Sequence, residues 1–322
     1  MVSVVVSGAQ GRTGHRLVAA LEREPDVERV TVVEATAPAA DLKAAFEGHD
    51  AVVHLGAATA IGAVLDAAGS TAVKVFVYRS SATVYGAWSD NPVPLTEDVA
   101  LRPNPGFSFA IEHAEAERRV AEWRDDHPGV TVAVLRTVPV VASGGESWES
   151  ATLGRPSSLR RGEALPPTQF LDVDDAAAAF VHAVRQRLDG TFNLAPDGHV
   201  SGETARALAS SGLTLPLPER AAALAERWAW RLGWGGAPSA AAPYLVHPWV
   251  VANDRLAATG WSPVHTNEEA LVAAREGSWW RELSPKRRQE LALGTVGVGT
   301  VGLTVAIVAA VRAARRRAAA RV

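Results

Sequence analysis

The sequence predicts an α/β protein with a doubly wound parallel sheet, a smaller C-terminal lobe and a C-terminal transmembrane helix. In the first half, apolar strand-like runs alternate with helical stretches, as in parallel sheets covered on both faces. From about residue 143 the composition shifts to Gly, Ser, Pro and Trp, and a long uncharged run follows near the end. These changes place a sheet domain at 1–142, a loop-rich lobe at 143–285, a membrane helix at 291–311 and a basic tail at 312–322.

The order of apolar and helical segments in the first half gives the predicted strands and helices. The predicted strands are Val2–Ser7, Val30–Glu34, Ala51–Leu55, Val73–Tyr78 and Val130–Arg136. The helices between them are Gly14–Glu24, Ala40–Glu47, Ala60–Gly69 and Ile111–Asp125. Because 34–50 is short for a further strand and helix, one strand of the usual set is expected to be shortened or lost. In the lobe, we expect helices at Asp174–Arg187 and Pro218–Leu232 and a strand at Gly190–Leu194.

Charge and cysteine content narrow the function classes. The formal net charge of −3 gives no global field that would recruit nucleic acid, so we expect no nucleic-acid partner. The chain has no cysteine, which excludes disulfides, thiolate catalysis and cysteine metal sites. We predict no metal site.

The uncharged run Leu291–Val311 is long enough for a membrane span, about 31 Å as a helix. Basic residues lie on both sides of it, and five arginines follow it between 312 and 321. The N-terminal apolar run is too short for a signal peptide. We therefore expect a tail-anchored membrane protein with its main body in the cytoplasm and the lipid bilayer as a partner. The alternatives are a buried core helix, a disordered glycine-rich tail and a helix that only dips into the leaflet.

A glycine-rich turn follows the first strand and opens a helix. Glycines at such a turn let backbone amides approach a pyrophosphate, which then lies at the positive end of the helix. Glu34 ends the next predicted strand, 20 residues after Gly14, where a carboxylate can accept hydrogen bonds from an adenosine ribose. The pattern predicts a Rossmann-type dinucleotide site formed by Gly8, Gln10, Gly11, Arg12, Thr13, Gly14 and Glu34.

The GxxGxxG spacing resembles the extended short-chain dehydrogenase/reductase superfamily, in particular its NAD-dependent epimerase/dehydratase-like group. The resemblance recurs along about 270 residues, in VVHLGAA at 52–58, SSATVYG at 80–86, LRTVP at 135–139, FLDVDD at 170–175, NDRL at 253–256 and GWSP at 260–263. By this resemblance, the 52–58 strand end passes beneath the cofactor, which implicates Leu55, Gly56 and Ala57. Val138 would line the nicotinamide, and Ser81 falls on the catalytic serine or threonine.

The sequence departs from the family at its acid/base pair. Where the family has YxxxK before an A-E helix ending, this chain has Phe109 and His113. A phenyl ring cannot transfer a proton, so standard catalysis is expected to fail. Three alternatives stay open: Tyr85 as the nearest tyrosine by motif, His113 as a ribose ligand or acid/base, and hydride transfer with a proton from water.

The two charged residues of the cofactor motif favour different cofactors. The GRTG ending with Arg12 resembles NADP-using members, in which a basic side chain meets the 2′-phosphate. Glu34 would repel that phosphate, and it is the charge nearer the ribose. We therefore favour NAD(H), with NADP(H) as the alternative.

Two functional hypotheses follow. One is an oxidoreductase or epimerase whose small-molecule substrate, a sugar nucleotide, sterol or lipid-like alcohol, binds in the C-terminal lobe. The other is a catalytically inactive dinucleotide-binding sensor or scaffold, in which a bound cofactor could also be purely structural. A homodimer is a further partner that we consider.

Overall fold

The structure is a computed structural model that describes residues 1–142, 153, 165–209 and 239–274. All of these residues belong to one compact unit, Met1–Ala274. The boundary expected at residue 142 between a sheet domain and a substrate lobe stays a prediction. The predicted helix at Pro218–Leu232 lies outside the described residues.

A six-stranded parallel sheet forms the centre of the fold, in the order β2-β1-β3-β4-β5-β8. Valine dominates its central strands, which are buried on both faces. A separate two-stranded parallel pair is formed by β6 and β7. The strands are β1 (Val2–Ser7), β2 (Val27–Val33), β3 (Ala51–His54), β4 (Val75–Ser81), β5 (Thr131–Thr137), β6 (Val140–Val141), β7 (Leu171–Asp172) and β8 (Gly190–Leu194).

Helices cover both faces of this sheet, which confirms the predicted doubly wound arrangement. Helices α1 and α5 pack together over one core layer, and α2, α3 and α4 lie over the other. The helices are α1 (Arg12–Leu21), α2 (Ala39–Phe46), α3 (Ile61–Gly69), α4 (Ser108–Asp126), α5 (Val173–Gln186), α6 (Gly202–Ala209), α7 (Asp254–Ala257) and α8 (Asn267–Ala273). Short 3₁₀ turns lie at Ala58–Ala60, Ala82–Tyr85 and Ser239–Leu245.

The expected loss of a strand between residues 34 and 50 is confirmed. After β2 the chain makes a turn, forms the single helix α2 and enters β3 directly. Strand β2 is therefore an edge strand of the sheet, paired only with β1 among the described strands.

The start of α5 attaches the last described segment to the sheet domain. The side chain of Asp172 caps the helix by accepting from the Asp174 amide at 2.7 Å. The carboxylate of Asp175, 3 % exposed, accepts from the backbone amides of Val264 and His265 at 3.0 and 2.9 Å. The FLDVDD motif thus has a structural role, since its last carboxylate fixes the chain just after GWSP.

The predicted transmembrane helix requires correction. None of the described helices combines the length and the apolar character that are needed to cross a membrane. The longest described helix is α4, with 19 residues, and it carries Glu, Asp and Arg side chains along its length. The run at 291–311 itself lies outside the described residues. The expected transmembrane helix and the tail-anchored localisation are therefore not supported.

Candidate functional site

The predicted cofactor residues lie where the parallel strands of the sheet end. We call this side of the sheet, at the carboxyl ends of its strands, the cofactor edge. Ser7 at the end of β1 pairs with Val33 of β2 and with His54 of β3. Ser81 at the end of β4 pairs with Thr137 of β5. In open α/β sheets, ligands bind outside the carboxyl ends of the strands. The structure therefore brings the glycine turn, Glu34, Leu55–Ala57, Ser81 and Val138 to the edge where a cofactor is expected.

The glycine turn after β1 is tightly packed against its neighbours. Gly8 has a φ of +77°, and a Cβ there would lie 2.5 Å from the Cα of Gly56. At Gly14 a Cβ would collide with the carbonyl group of Ala9. Both contacts are with backbone atoms, which cannot move aside cheaply. These two glycines are required by the close approach of backbone segments.

The N-terminus of α1 has the features of an anion site. Its N-cap is Gly11, with a φ of +100°, and no side chain caps the helix. The first turn carries no acidic residue, and among the described atoms nothing lies within 4 Å of a Cβ built on Gly11. Unsatisfied amides and the helix dipole favour a phosphate at such a position. The turn that Gly11, Arg12 and Thr13 form therefore fits a dinucleotide pyrophosphate.

Two other strand ends complete the cofactor edge. The amide of Gly8 donates to the Val33 carbonyl at 2.9 Å, which places the exposed Glu34 beside the glycine turn. The amide of Leu55 donates to the Ser7 carbonyl at 2.8 Å, and Gly56 follows it directly against Ala35. Glu34 is therefore accessible to a ribose, as the sequence predicts.

Ser81 is 1 % exposed and begins the 3₁₀ turn Ala82–Tyr85. Its Oγ accepts hydrogen bonds from the amide of Thr83 at 3.3 Å and from the hydroxyl of Thr83 at 3.0 Å. Both hydrogen bonds use the Ser81 oxygen as an acceptor, and they tie it to the 3₁₀ turn that follows.

Tyr85 is held in a buried network. Its hydroxyl accepts from Arg136 Nη1 at 2.7 Å and donates to Asn193 Oδ1 at 2.8 Å. The Arg136 guanidinium also lies over the Tyr85 ring, 4.8 Å from its centroid. Burial raises the pKa of Tyr85, while the nearby Arg136 cation opposes that rise. In this structure the only hydroxyl hydrogen of Tyr85 is already donated within the protein.

Phe109 and His113 both lie on α4, and His113 bonds to a residue on β4. Tyr78 is fully buried, and its hydroxyl lies 2.8 Å from His113 Nδ1. The half-buried ring of Phe109 packs edge-on against the imidazole, with 4.6 Å between centroids. Burial, the Arg79 cation and His54 together lower the pKa of His113 to about 3. His113 is therefore a neutral member of the protein interior at physiological pH.

The buried row continues from Tyr78 towards the glycine turn. His54 stacks on the Tyr78 ring with 5.9 Å between centroids, and its Nδ1 lies 3.3 Å from the hydroxyl of Ser7. Burial lowers the pKa of His54 to about 4. Two neutral imidazoles and one phenol thus connect β1, β3, β4 and α4 directly below the cofactor edge.

Sequence reasoning missed the partners that the candidate residues have in the structure. It identified the A-E helix ending and LRTVP as motifs but not the ion pair between Glu117 and Arg136. It also did not identify Tyr78 as the partner of His113. The available signal was a polar residue at a strand or helix position that faces the core, which Tyr78, Glu117 and Arg136 share.

Comparison with known proteins identifies the family. The model of the NAD dependent epimerase/dehydratase family matches residues 4–195. A 3-diazoavenalumate denitrifying reductase of Streptomyces sp. is 30% identical over 317 residues, which cover 81% of this chain and 96% of the reductase. An uncharacterized protein of Mycobacterium tuberculosis is 28% identical over 242 residues, or 61% of this chain. This chain spans only 62% of the length of that mycobacterial relative.

Solved structures support the same fold. UDP-glucose 4-epimerase of Thermus thermophilus in complex with NAD superposes with a TM-score of 0.63 at 16% identity, covering 85% of this chain and 98% of the epimerase. The dTDP-glucose 4,6-dehydratase of Bacillus anthracis in complex with NAD gives 0.62 at 13% identity, covering 86% and 96%. With the geometry of the glycine turn and the match over residues 4–195, this chain belongs to the NAD dependent epimerase/dehydratase family.

Proposed function

We propose that this protein is a dinucleotide-dependent reductase whose substrate accepts a hydride without needing a proton from the protein. The observation that carries the proposal is Phe109, a phenyl ring at the position where the family resemblance implies a tyrosine. Bound NADH or NADPH would supply the hydride. The residues around it would bind and orient the two reactants.

The other candidate proton donors are engaged in the interior. Tyr85 donates its hydrogen to Asn193. His113 is hydrogen-bonded to Tyr78, and burial first, then Arg79, hold its pKa at about 3, so near neutral pH it is an uncharged imidazole and not an imidazolium acid. A general acid is most useful when its pKa lies near the working pH. These features favour a reaction that does not use an acid from this set.

The candidate substrate classes differ in whether their reaction with a hydride also needs a proton. Reducing a ketone consumes a hydride and a proton, and epimerising an alcohol through a ketone moves a proton off and back on. Replacing a diazonium group by hydrogen consumes only the hydride: the C–N bond breaks, a C–H bond forms and dinitrogen leaves with the bonding electrons. The name of the Streptomyces relative describes a denitrifying reductase acting on a diazo compound. We therefore favour a diazo or similarly activated electrophile as the substrate class.

Ser81 is the residue that we assign to substrate orientation. It lies at the carboxyl end of β4, and two hydrogen bonds from Thr83 hold its oxygen in place. Glu34 at the end of β2 favours NAD(H), because a carboxylate repels the 2′-phosphate of NADP(H); Arg12 is the residue that would favour NADP(H). The proposal also places the small-molecule substrate in the C-terminal lobe and includes a homodimer.

The test uses an arenediazonium salt that carries a carboxylate, with NADH or NADPH as the reductant. Purified protein is expected to accelerate cofactor oxidation and nitrogen release together, one for one, above the rate without protein. Cofactor deuterated at C4 should transfer its label into the arene product. The rate of the chemical step should be nearly the same in H₂O and D₂O, because no solvent-derived proton moves in it.

Two results would contradict the proposal. The first is turnover of ketones with a large solvent isotope effect and none of the diazonium salt, since that requires a proton donor. The second is tight NADH binding with no turnover of either substrate class, which would instead favour the dinucleotide-binding sensor or scaffold. Failure to bind either dinucleotide would remove both functions.

A further inference from the structure

Ser81 lies between two residues that are tied to the same buried ion pair. On one side, Ser80 donates from Oγ to Glu117 Oε1 at 2.5 Å. On the other, at the end of the 3₁₀ turn, Tyr85 accepts from Arg136 Nη1 at 2.7 Å. Glu117 and Arg136 pair at 2.7 Å, and each side chain is 7% exposed. The turn that begins at Ser81 is therefore fixed at both ends by one pair of charges.

The ion pair is geometrically well defined. Arg136 Nε lies 3.1 Å from both carboxylate oxygens of Glu117, and Nη2 donates to Oε2 at 2.7 Å. Planar guanidinium–carboxylate contacts of this kind fix orientation as well as distance. Asn193, which accepts from Tyr85, donates in turn to the Leu95 carbonyl at 3.3 Å. The pair is thus anchored to α4, β5 and β8, and it can position the turn against all three.

Stability alone is a weak explanation for such a pair. Removing two charges from water costs several kcal/mol per ion, and well-packed apolar residues of similar volume are often as stabilising or better. What a buried pair does provide is one preferred arrangement of the groups bonded to it. Here those groups are Ser80 and Tyr85, the residues that bracket Ser81.

We infer that Glu117 and Arg136 form a positioning unit, acting through Ser80 and Tyr85, that directs the Ser81 hydroxyl towards the substrate. Neither charged side chain contacts substrate in this assignment. The inference rests on the proposed function in so far as Ser81 is the residue that orients the substrate. The unit acts on Ser80, the residue that precedes Ser81 in β4, and on Tyr85, the last residue of the turn, so a small displacement at Ser80 changes the direction of the Ser81 oxygen.

The test is a double-mutant cycle of Ser80→Ala and Ser81→Ala. We expect Ser80→Ala to lower kcat roughly 10- to 100-fold, since displacements on the order of 1 Å have such effects, with little change in the dissociation constant for NADH. In the Ser81→Ala background the same substitution should have no further effect, because its target is gone. Equal losses from Ser80→Ala in both backgrounds would overturn the positioning role.

Ser3→Ala is the matched control. Ser3 is also a buried strand serine whose hydroxyl donates to a carboxylate, Asp50 Oδ2, at 2.8 Å. It lies at the opposite end of β1 from the cofactor edge, so its loss should alter stability but leave kcat unchanged. A kcat loss in Ser3→Ala equal to that in Ser80→Ala would mean that the effect is general destabilisation, which contradicts the inference.

A second readout does not depend on turnover. The Thr83 amide donates to Ser81 Oγ, so a misdirected Ser81 should expose that amide. Hydrogen exchange at Thr83 is expected to accelerate in Ser80→Ala and to stay unchanged in Ser3→Ala. If the wild-type protein turns over no substrate, the proposed function fails while this measurement still decides the positioning unit: unchanged exchange in Ser80→Ala would overturn it.

Discussion

The two buried histidines below the cofactor edge predict a steep loss of stability in mild acid. His54 is fully buried and His113 is 5% exposed. Burial is the largest cause of the lowered pKa of each, to about 4 for His54 and about 3 for His113. In the unfolded chain both return to about 6.5. At pH values between the pKa in the folded protein and the pKa in the unfolded chain, the unfolded chain binds protons that the native protein does not.

The magnitude follows from proton linkage. Each such histidine makes the free energy of unfolding fall by about 1.4 kcal/mol per pH unit below 6.5, so the two together give about 2.8 kcal/mol per pH unit. Above pH 6.5 both histidines are neutral in the folded and in the unfolded protein, so stability is retained there. It is lost as the pH falls. His265 weakly opposes this loss of stability. Burial alone would lower the pKa of His265, but Asp172 and Asp175 raise it. The His265 side chain is 40% exposed. Its contribution should stay below about 1 kcal/mol.

Urea unfolding at pH 7, 6 and 5 measures the effect directly. The comparison is His113→Asn, whose amide oxygen can replace Nδ1 as the partner of Tyr78 but does not titrate. We expect the variant to lose stability more slowly with acid, by about 1.4 kcal/mol per pH unit. Identical pH dependence in both proteins, or an NMR titration of His113 with a midpoint near 6.5, would refute the assignment of His113 as a buried neutral residue.

Three further predictions concern the cofactor turn and the docking of the last described segment. Gly14→Ala should destabilise the fold by about 1–3 kcal/mol and abolish NADH binding, because its Cβ meets the Ala9 carbonyl; Gly129→Ala, where nothing lies within 4 Å, is the control and should unfold like the wild type. Glu34→Arg should shift the NADPH-to-NADH affinity ratio upwards by about tenfold or more, since one repulsive charge becomes attractive; an unchanged ratio in binding titrations would show that Glu34 does not face the ribose. Asp175→Ala should cost about 1–3 kcal/mol, because two part-buried backbone amides lose their acceptor; unchanged limited proteolysis around residues 260–265 would contradict this.

The secondary structure of the first half was well predicted because its signals are local. Apolar runs of strand length, separated by amphipathic stretches, gave β1 and β8 with their observed bounds and placed β2, β3, β4 and β5 within a few residues, whereas the short strands β6 and β7 were not predicted. The short interval before β3 was enough to predict a lost strand, since the chain there cannot span a strand, a helix and two turns. The membrane helix was predicted from the length of an uncharged run and the basic residues that flank it, and the described part of the structure does not support it.

The sequence places the candidate cofactor residues along the chain, but it does not reveal the side-chain partners of the candidate catalytic residues. Gly8, Gly14 and Glu34 follow from spacing, because the turn, the helix start and the strand end occur in fixed order along the chain. The partner of His113 could not be predicted, since Tyr78 is 35 residues away and meets it only when α4 packs on β4.

The amino-acid sequence by itself therefore determined the parallel sheet, the dinucleotide turn and the absence of a tyrosine at position 109. Those properties depend on local periodicity, on glycine geometry and on the identity of one residue. Only the tertiary structure decided that His113 is neutral and bonded to Tyr78, that Tyr85 is committed to Arg136 and Asn193, and that one ion pair brackets Ser81. The physical reason is that a side chain's charge and its free hydrogens depend on which distant groups are buried against it.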